Sequence, residues 1–200
     1  MVTATAHYSE SVLAKAISRA YPRASGFASK IVSVAHELGM DPFTLANLIG
    51  FESAYSFSAS RQHPKSRATG LIQFMPDTAP DFNTTVEALA MMSETEQMNY
   101  VRAYLKQRTR SYGKLDTPYR VAMSVFYPEA LKYESSVPFE KIITDYWVGR
   151  RGRSAEYAAA KVAKFHKQND PIKTPADYMD FMFSRAKLPA SLREYDGGVA

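Results

Sequence analysis

The sequence predicts an all-α protein. Helix-capping signals recur along the chain, apolar residues repeat at helical spacing, and no run alternates at period two. Residues 1–24 read as an N-terminal helical extension. Phe27, Ile31, Val34, Ala35 and Leu38 then fall on one face of a helix, and Gly39 stands where a glycine in the left-handed region would end it. Asp41-Pro42 is an N-cap followed by proline at the first helical position, and it opens the next helix. Residues 54–80 lack a helical period beyond a turn or two and read as a long functional loop. Ser93 and Glu96 form a capping box ahead of Met98, Val101, Leu105 and Tyr112, a run that Gly113 closes. Thr117-Pro118 and Thr174-Pro175 repeat the cap-then-proline signal, and Ala158, Val162 and Phe165 mark a helix near 155–168. The sum is seven to nine helices, with a tail after Leu188 that holds Pro189 and Gly197-Gly198 and is expected to fray.

Composition narrows the class. With 46% hydrophobic and 22% charged residues over 200 positions, the chain reads as one globular domain, or one domain with extensions. No apolar stretch approaches the roughly 20 residues that span a bilayer. Met1 to Glu10 lack the layout of a secretory signal, so an extracytoplasmic substrate would require another delivery route. Cysteine is absent, which excludes disulfides and thiolate metal sites. His7, His36, His63 and His166 show no metal-ligand spacing, and no cofactor is expected. A net charge of +5 favours polyanionic partners such as nucleic acid, anionic lipid or an acidic cell wall, or is simply a solvated surface. Arg150, Arg151 and Arg153 cluster after Trp147, where they could grip anionic wall polymer or nucleic acid, or simply be solvated. Without a helix-turn-helix glycine pattern or a dense basic stripe, no specific nucleic-acid binding is expected.

One carboxylate stands out. Leu45, Ile49 and Glu52 lie at i, i+4 and i+7, which places Glu52 on an apolar face near the end of its helix. Desolvation and the helix dipole both disfavour a negative charge there and raise the carboxyl pKa. A glutamic acid kept protonated near neutrality can protonate a glycosidic oxygen, whereas by position alone Glu52 reads more readily as a helix-end side chain turned out to solvent. Eighteen residues after Glu52 stands Gly70-Leu71-Ile72-Gln73-Phe74-Met75-Pro76.

Glu52-Ser53 followed by that block resembles the soluble lytic transglycosylases, whose fold is that of goose-type lysozyme. The likeness covers roughly residues 25–135 and is closest to transglycosylase-like proteins of bacteriophages and prophages. Thr84-Thr85, Glu96-Gln97-Met98-Asn99-Tyr100-Val101 and Tyr127-Pro128 follow in the same order. The resemblance implies a lysozyme-like helical core, with residues 136–200 as extra C-terminal helices that pack on it or dock to a partner. It implies that Glu52 is the single catalytic acid and base of a peptidoglycan lytic transglycosylase. Cleavage would fall between MurNAc and GlcNAc and leave a 1,6-anhydro end. Ser53, Gly70, Gln73, Met75 and Tyr127 would be the substrate-binding residues. Gly70 would admit the ligand close to the backbone, and Tyr127 would hydrogen-bond near Glu52. Other virion proteins, from the tail or the interior, become candidate partners beside the glycan strands. A virion-borne enzyme acting at the host periplasm and cell wall is the expected setting, with a late-lysis endolysin as the other route.

The match is incomplete. The family's Tyr-Asn-Ala-Gly block stands here as Tyr127-Pro128-Glu129-Ala130, and its glycine three residues before Gly70 is Arg67. A hydrolytic muramidase would need a second acid. Asp77, Asp81 and Glu129 are the nearest candidates along the sequence, each more readily a surface or helix-end charge. Tyr55, Phe57, Phe74 and Tyr127 could stack on sugars or fill the core. A lysozyme-like structural virion protein without activity is the alternative of a different class.

Overall fold

A computed structural model describes residues 8–194 and is all-α. His7 and the Gly197-Gly198 pair lie outside the described residues. Nine α-helices are present among those described. They are α1 (Glu10–Ala20), α2 (Ala28–Glu37), α3 (Pro42–Glu52), α4 (Val86–Ala90), α5 (Glu94–Tyr112), α6 (Pro118–Phe126), α7 (Phe139–Thr144), α8 (Ala155–Asn169) and α9 (Pro175–Phe183). The end of α7 widens into a π-helical turn, Asp145–Arg150. None of these helices is long and apolar enough to cross a membrane.

Local chemistry sets the helix starts. The Asp41 carboxylate accepts from the backbone N–H of Phe43 and Thr44, satisfying two donors that the helix itself cannot. Ser93 and Glu96 close the capping box in both directions at the head of α5. Thr174 and Asp177 form a second box at the head of α9. Gly39 has φ of +66°, the left-handed conformation that stops α2.

The centre of the molecule is α3. Every residue from Pro42 to Gly50 is buried, so the helix is covered all round rather than on one face. Helices α1, α2, α6 and α9 pack against it. Leu13 and Ile17 of α1, Tyr178 and Met182 of α9, and Leu188 beyond it belong to the same apolar core as Leu45 and Ile49. Two buried polar side chains on α3 are thereby explained. The Asn47 amide donates to the carbonyls of Leu188 and Pro189 and accepts from the Tyr21 hydroxyl at 2.7 Å. Thr44 donates to the Ala190 carbonyl, and Asp41 accepts from the Leu192 N–H. Residues 187–192 are thus tied along α3 by side chains that would otherwise be buried without partners.

Candidate functional site

Glu52 is the last residue of α3, and the chain turns sharply after it. Ala54, Tyr55 and Phe57 all have positive φ, a conformation that costs a non-glycine residue about 1 kcal/mol or more. Several contacts hold the turn. The Ser53 hydroxyl accepts from the Phe57 N–H at 3.0 Å and donates to the Gly50 carbonyl. The Tyr55 N–H donates to that same carbonyl at 2.6 Å. Gly50 carries no Cβ where one would sit 3.0 Å from the Phe57 ring, so the rings of Tyr55 and Phe57 close against α3. The result is a fixed helix end with Glu52 largely covered and partly open to solvent.

Burial dominates the acidity of Glu52, raising its carboxyl pKa to about 7. A hydrogen bond from the Tyr178 hydroxyl to Glu52 Oε1, 3.0 Å long, opposes this by favouring the ionised form. The ring of Tyr178 is locked in place, stacked on Phe126 at 3.9 Å between centroids and edge-on to Phe51. Burial first, then the nearby Glu52, push the Tyr178 phenol well above its ordinary value, so it stays a donor.

The Gly70–Pro76 block packs on Tyr104 of α5, where Phe74 meets the Tyr104 ring edge-on at 5.7 Å. Burial raises the Tyr104 phenol pKa, with Glu52 the smallest of its electrostatic influences. Gln73, in a left-handed conformation, donates its amide to the carbonyls of Arg61 and Gly70, and the side chain stays half-exposed. Met75 is exposed.

Several residues expected at the substrate are placed otherwise. Ser53 has no accessible surface and braces the turn, which corrects its assignment as a substrate contact. Gly70 is also buried, with φ of +86°, and a Cβ there would collide with the Gln97 amide. Its close approach is therefore to Gln97 and not to a ligand. Tyr127 packs its ring on Phe139 and Phe165, so the hydroxyl that meets Glu52 belongs to Tyr178 instead. Phe57 and Phe74 are core residues, whereas Tyr55 and Tyr127 keep part of their surface open.

Among the described residues no second carboxylate acts on Glu52. Asp77 and Asp81 are exposed, and Glu129 is engaged by Tyr112, Lys132 and Arg150. Burial and Tyr178 account for the shift in Glu52 without an acidic neighbour. Among the described residues no group of three or more His, Asp or Glu side chains is arranged to hold a metal ion.

The sequence reading missed Tyr178 and Gln97 as key residues. Tyr178 is 126 positions from Glu52, and the structure buries it on α9 together with Met182. Gln97 is fully buried and fully bonded, accepting from the Leu71 N–H and donating to the carbonyls of Ala59 and Leu89. Comparison with protein-family models, curated proteins and solved structures gives no match to this chain.

Proposed function

We propose that this chain is a peptidoglycan lytic transglycosylase that cleaves the β-1,4 bond between MurNAc and GlcNAc. The observation that carries the reading is the Glu52 carboxyl, half-buried at a helix end, with its pKa raised to about 7 and a phenol donor fixed on one oxygen. Protonated Glu52 gives its proton to the glycosidic oxygen as the bond to C1 of the muramyl sugar breaks. The carboxylate so formed takes the proton of the C6 hydroxyl while O6 bonds to C1. A 1,6-anhydro ring results, and Glu52 is protonated again. Intramolecular attack suits a carboxyl with no acidic neighbour among the described residues to activate water. Gln73 and Met75, partly open in the Gly70–Pro76 block that packs on Tyr104, are the side chains assigned to the sugar. A phage-borne enzyme that breaches the host wall is the setting proposed.

The alternative of an inactive structural protein draws on the placement of Tyr127 away from Glu52, though Tyr178 supplies a hydroxyl there. Turbidity clearing of purified peptidoglycan separates the readings. Wild type should clear it and Glu52→Gln should not. Equal clearing by both proteins, or none by either, rejects the catalytic assignment.

A further inference from the structure

The positive charge is concentrated in one stretch. Between residues 147 and 168 six cations stand against Glu156, a surplus of five that equals the net charge of the whole chain. The remaining sequence is therefore balanced. Of the six, Arg150 pairs with Glu129. Arg151, Arg153, Lys161, Lys164 and Lys167 meet no carboxylate among the described residues. Clustered like charges repel, so leaving them uncompensated favours an external anion.

The cations are arranged rather than scattered. The π-helical turn sets Trp147 edge-on to Tyr157 of α8, with ring centroids 5.1 Å apart. Lys161 lies 5.2 Å above the Trp147 ring and 5.0 Å above Tyr157, and Arg153 lies 5.6 Å from Tyr157. Tyr157, Lys161 and Lys164 follow one helical face at i, i+4 and i+7, beside the face that buries Ala158 and Phe165. Tyr157 and Val148 are both exposed. Aromatic platforms that already carry cations present charge outward instead of a free stacking face. That suits a chain of phosphates better than unpaired bases, whose binding depends on open rings.

We propose that the face carrying Arg153, Lys161 and Lys164 binds a phosphodiester-linked polyanion of the bacterial envelope and so holds the enzyme on the wall. This rests on the wall-cleaving function proposed above, but it concerns a surface separate from Glu52. The test is fluorescence anisotropy of labelled poly(glycerol phosphate) with the full chain, as wild type, Glu52→Gln, Arg153→Glu/Lys161→Glu and Arg153→Gln/Lys161→Gln. Wild type and Glu52→Gln should bind alike, with affinity falling about tenfold or more between about 50 and 200 mM salt. The charge-reversed variant should lose at least about tenfold and show a flatter salt dependence, and the glutamine variant should fall between. Thermal melts at the wild-type temperature show that the variants are folded, and the glutamine pair carries the test if the glutamate pair is not. No binding by wild type, or equal binding by folded variants, overturns the proposal. So does tighter binding to a DNA duplex or to oligo(dT) of matched charge, which would make the partner a nucleic acid. Loss of clearing by Glu52→Gln with binding intact bears on catalysis alone.

Discussion

At Glu52 two forces oppose each other, and burial outweighs the hydrogen bond. Tyr178 donates to the carboxylate, so its loss must raise the Glu52 pKa further. The protonated form would then persist to higher pH. Tyr178→Phe is expected to shift the alkaline limb of the kcat–pH profile upward while lowering kcat by roughly tenfold or less, the value of one positioning hydrogen bond. An unmoved limb would show that Tyr178 does not act on Glu52. Stability follows from the same shift. The folded carboxyl titrates at about 7 against 4.5 ordinarily, so the folded state holds more protons than the unfolded one between those values. Stability from this group is full below about pH 4.5, declines as pH rises to about 7, and is flat beyond. Glu52→Gln removes that decline. Allowing for the part of the side chain open to water, it should be more stable than wild type by about 2 kcal/mol at pH 8 and about equal near pH 4.5. Denaturant titrations at the two pH values check this.

At the scale of elements, the long loop between α3 and α4 is held by Gln97 of α5 rather than by its own regular structure. Its amide bonds to Ala59, Leu71 and Leu89, three points far apart in sequence. Gly70→Ala would place a methyl into that amide and strain a left-handed backbone together. A loss of about 2–4 kcal/mol is expected, read by chemical denaturation, with α-helical circular dichroism retained below the transition. The junction of α3 with the C-terminal segment is similarly polar. Asn47→Ala leaves the Tyr21 hydroxyl and two carbonyls short of a partner and should cost about 2–4 kcal/mol. A change below about 0.5 kcal/mol would mean that residues 187–192 are not held there in solution.

For the whole molecule, what was legible in the sequence was local. Asp41-Pro42, Ser93 with Glu96, Thr117-Pro118 and Thr174-Pro175 each announce a helix start because the cap and its backbone donors lie within three residues. The placement of Glu52 on an apolar face at the end of its helix was legible for the same reason. Pairings across the fold were not. Nothing in the neighbourhood of Tyr178 says that it meets Glu52, and Tyr127, nearer in sequence, was the expected partner. Ser53 and Gly70 were placed at the substrate because backbone needs, a braced turn and a close approach to Gln97, leave the same residue types as ligand contacts do. The fold also makes the C-terminal third part of the site, since α9 packs on α3 and carries Tyr178. A chain ending at residue 174 should therefore lose both cooperative unfolding and any clearing of peptidoglycan, measured by thermal melt and turbidity. Full activity in that shorter chain would show that α9 is dispensable.

The central claim is that one carboxyl at Glu52 acts first as acid and then as base. Mass spectrometry of the fragments released from purified peptidoglycan tests it most directly. The account predicts muropeptides ending in 1,6-anhydro-MurNAc from wild type and none from Glu52→Gln. Fragments with reducing ends, or anhydro products released equally by Glu52→Gln, would contradict it.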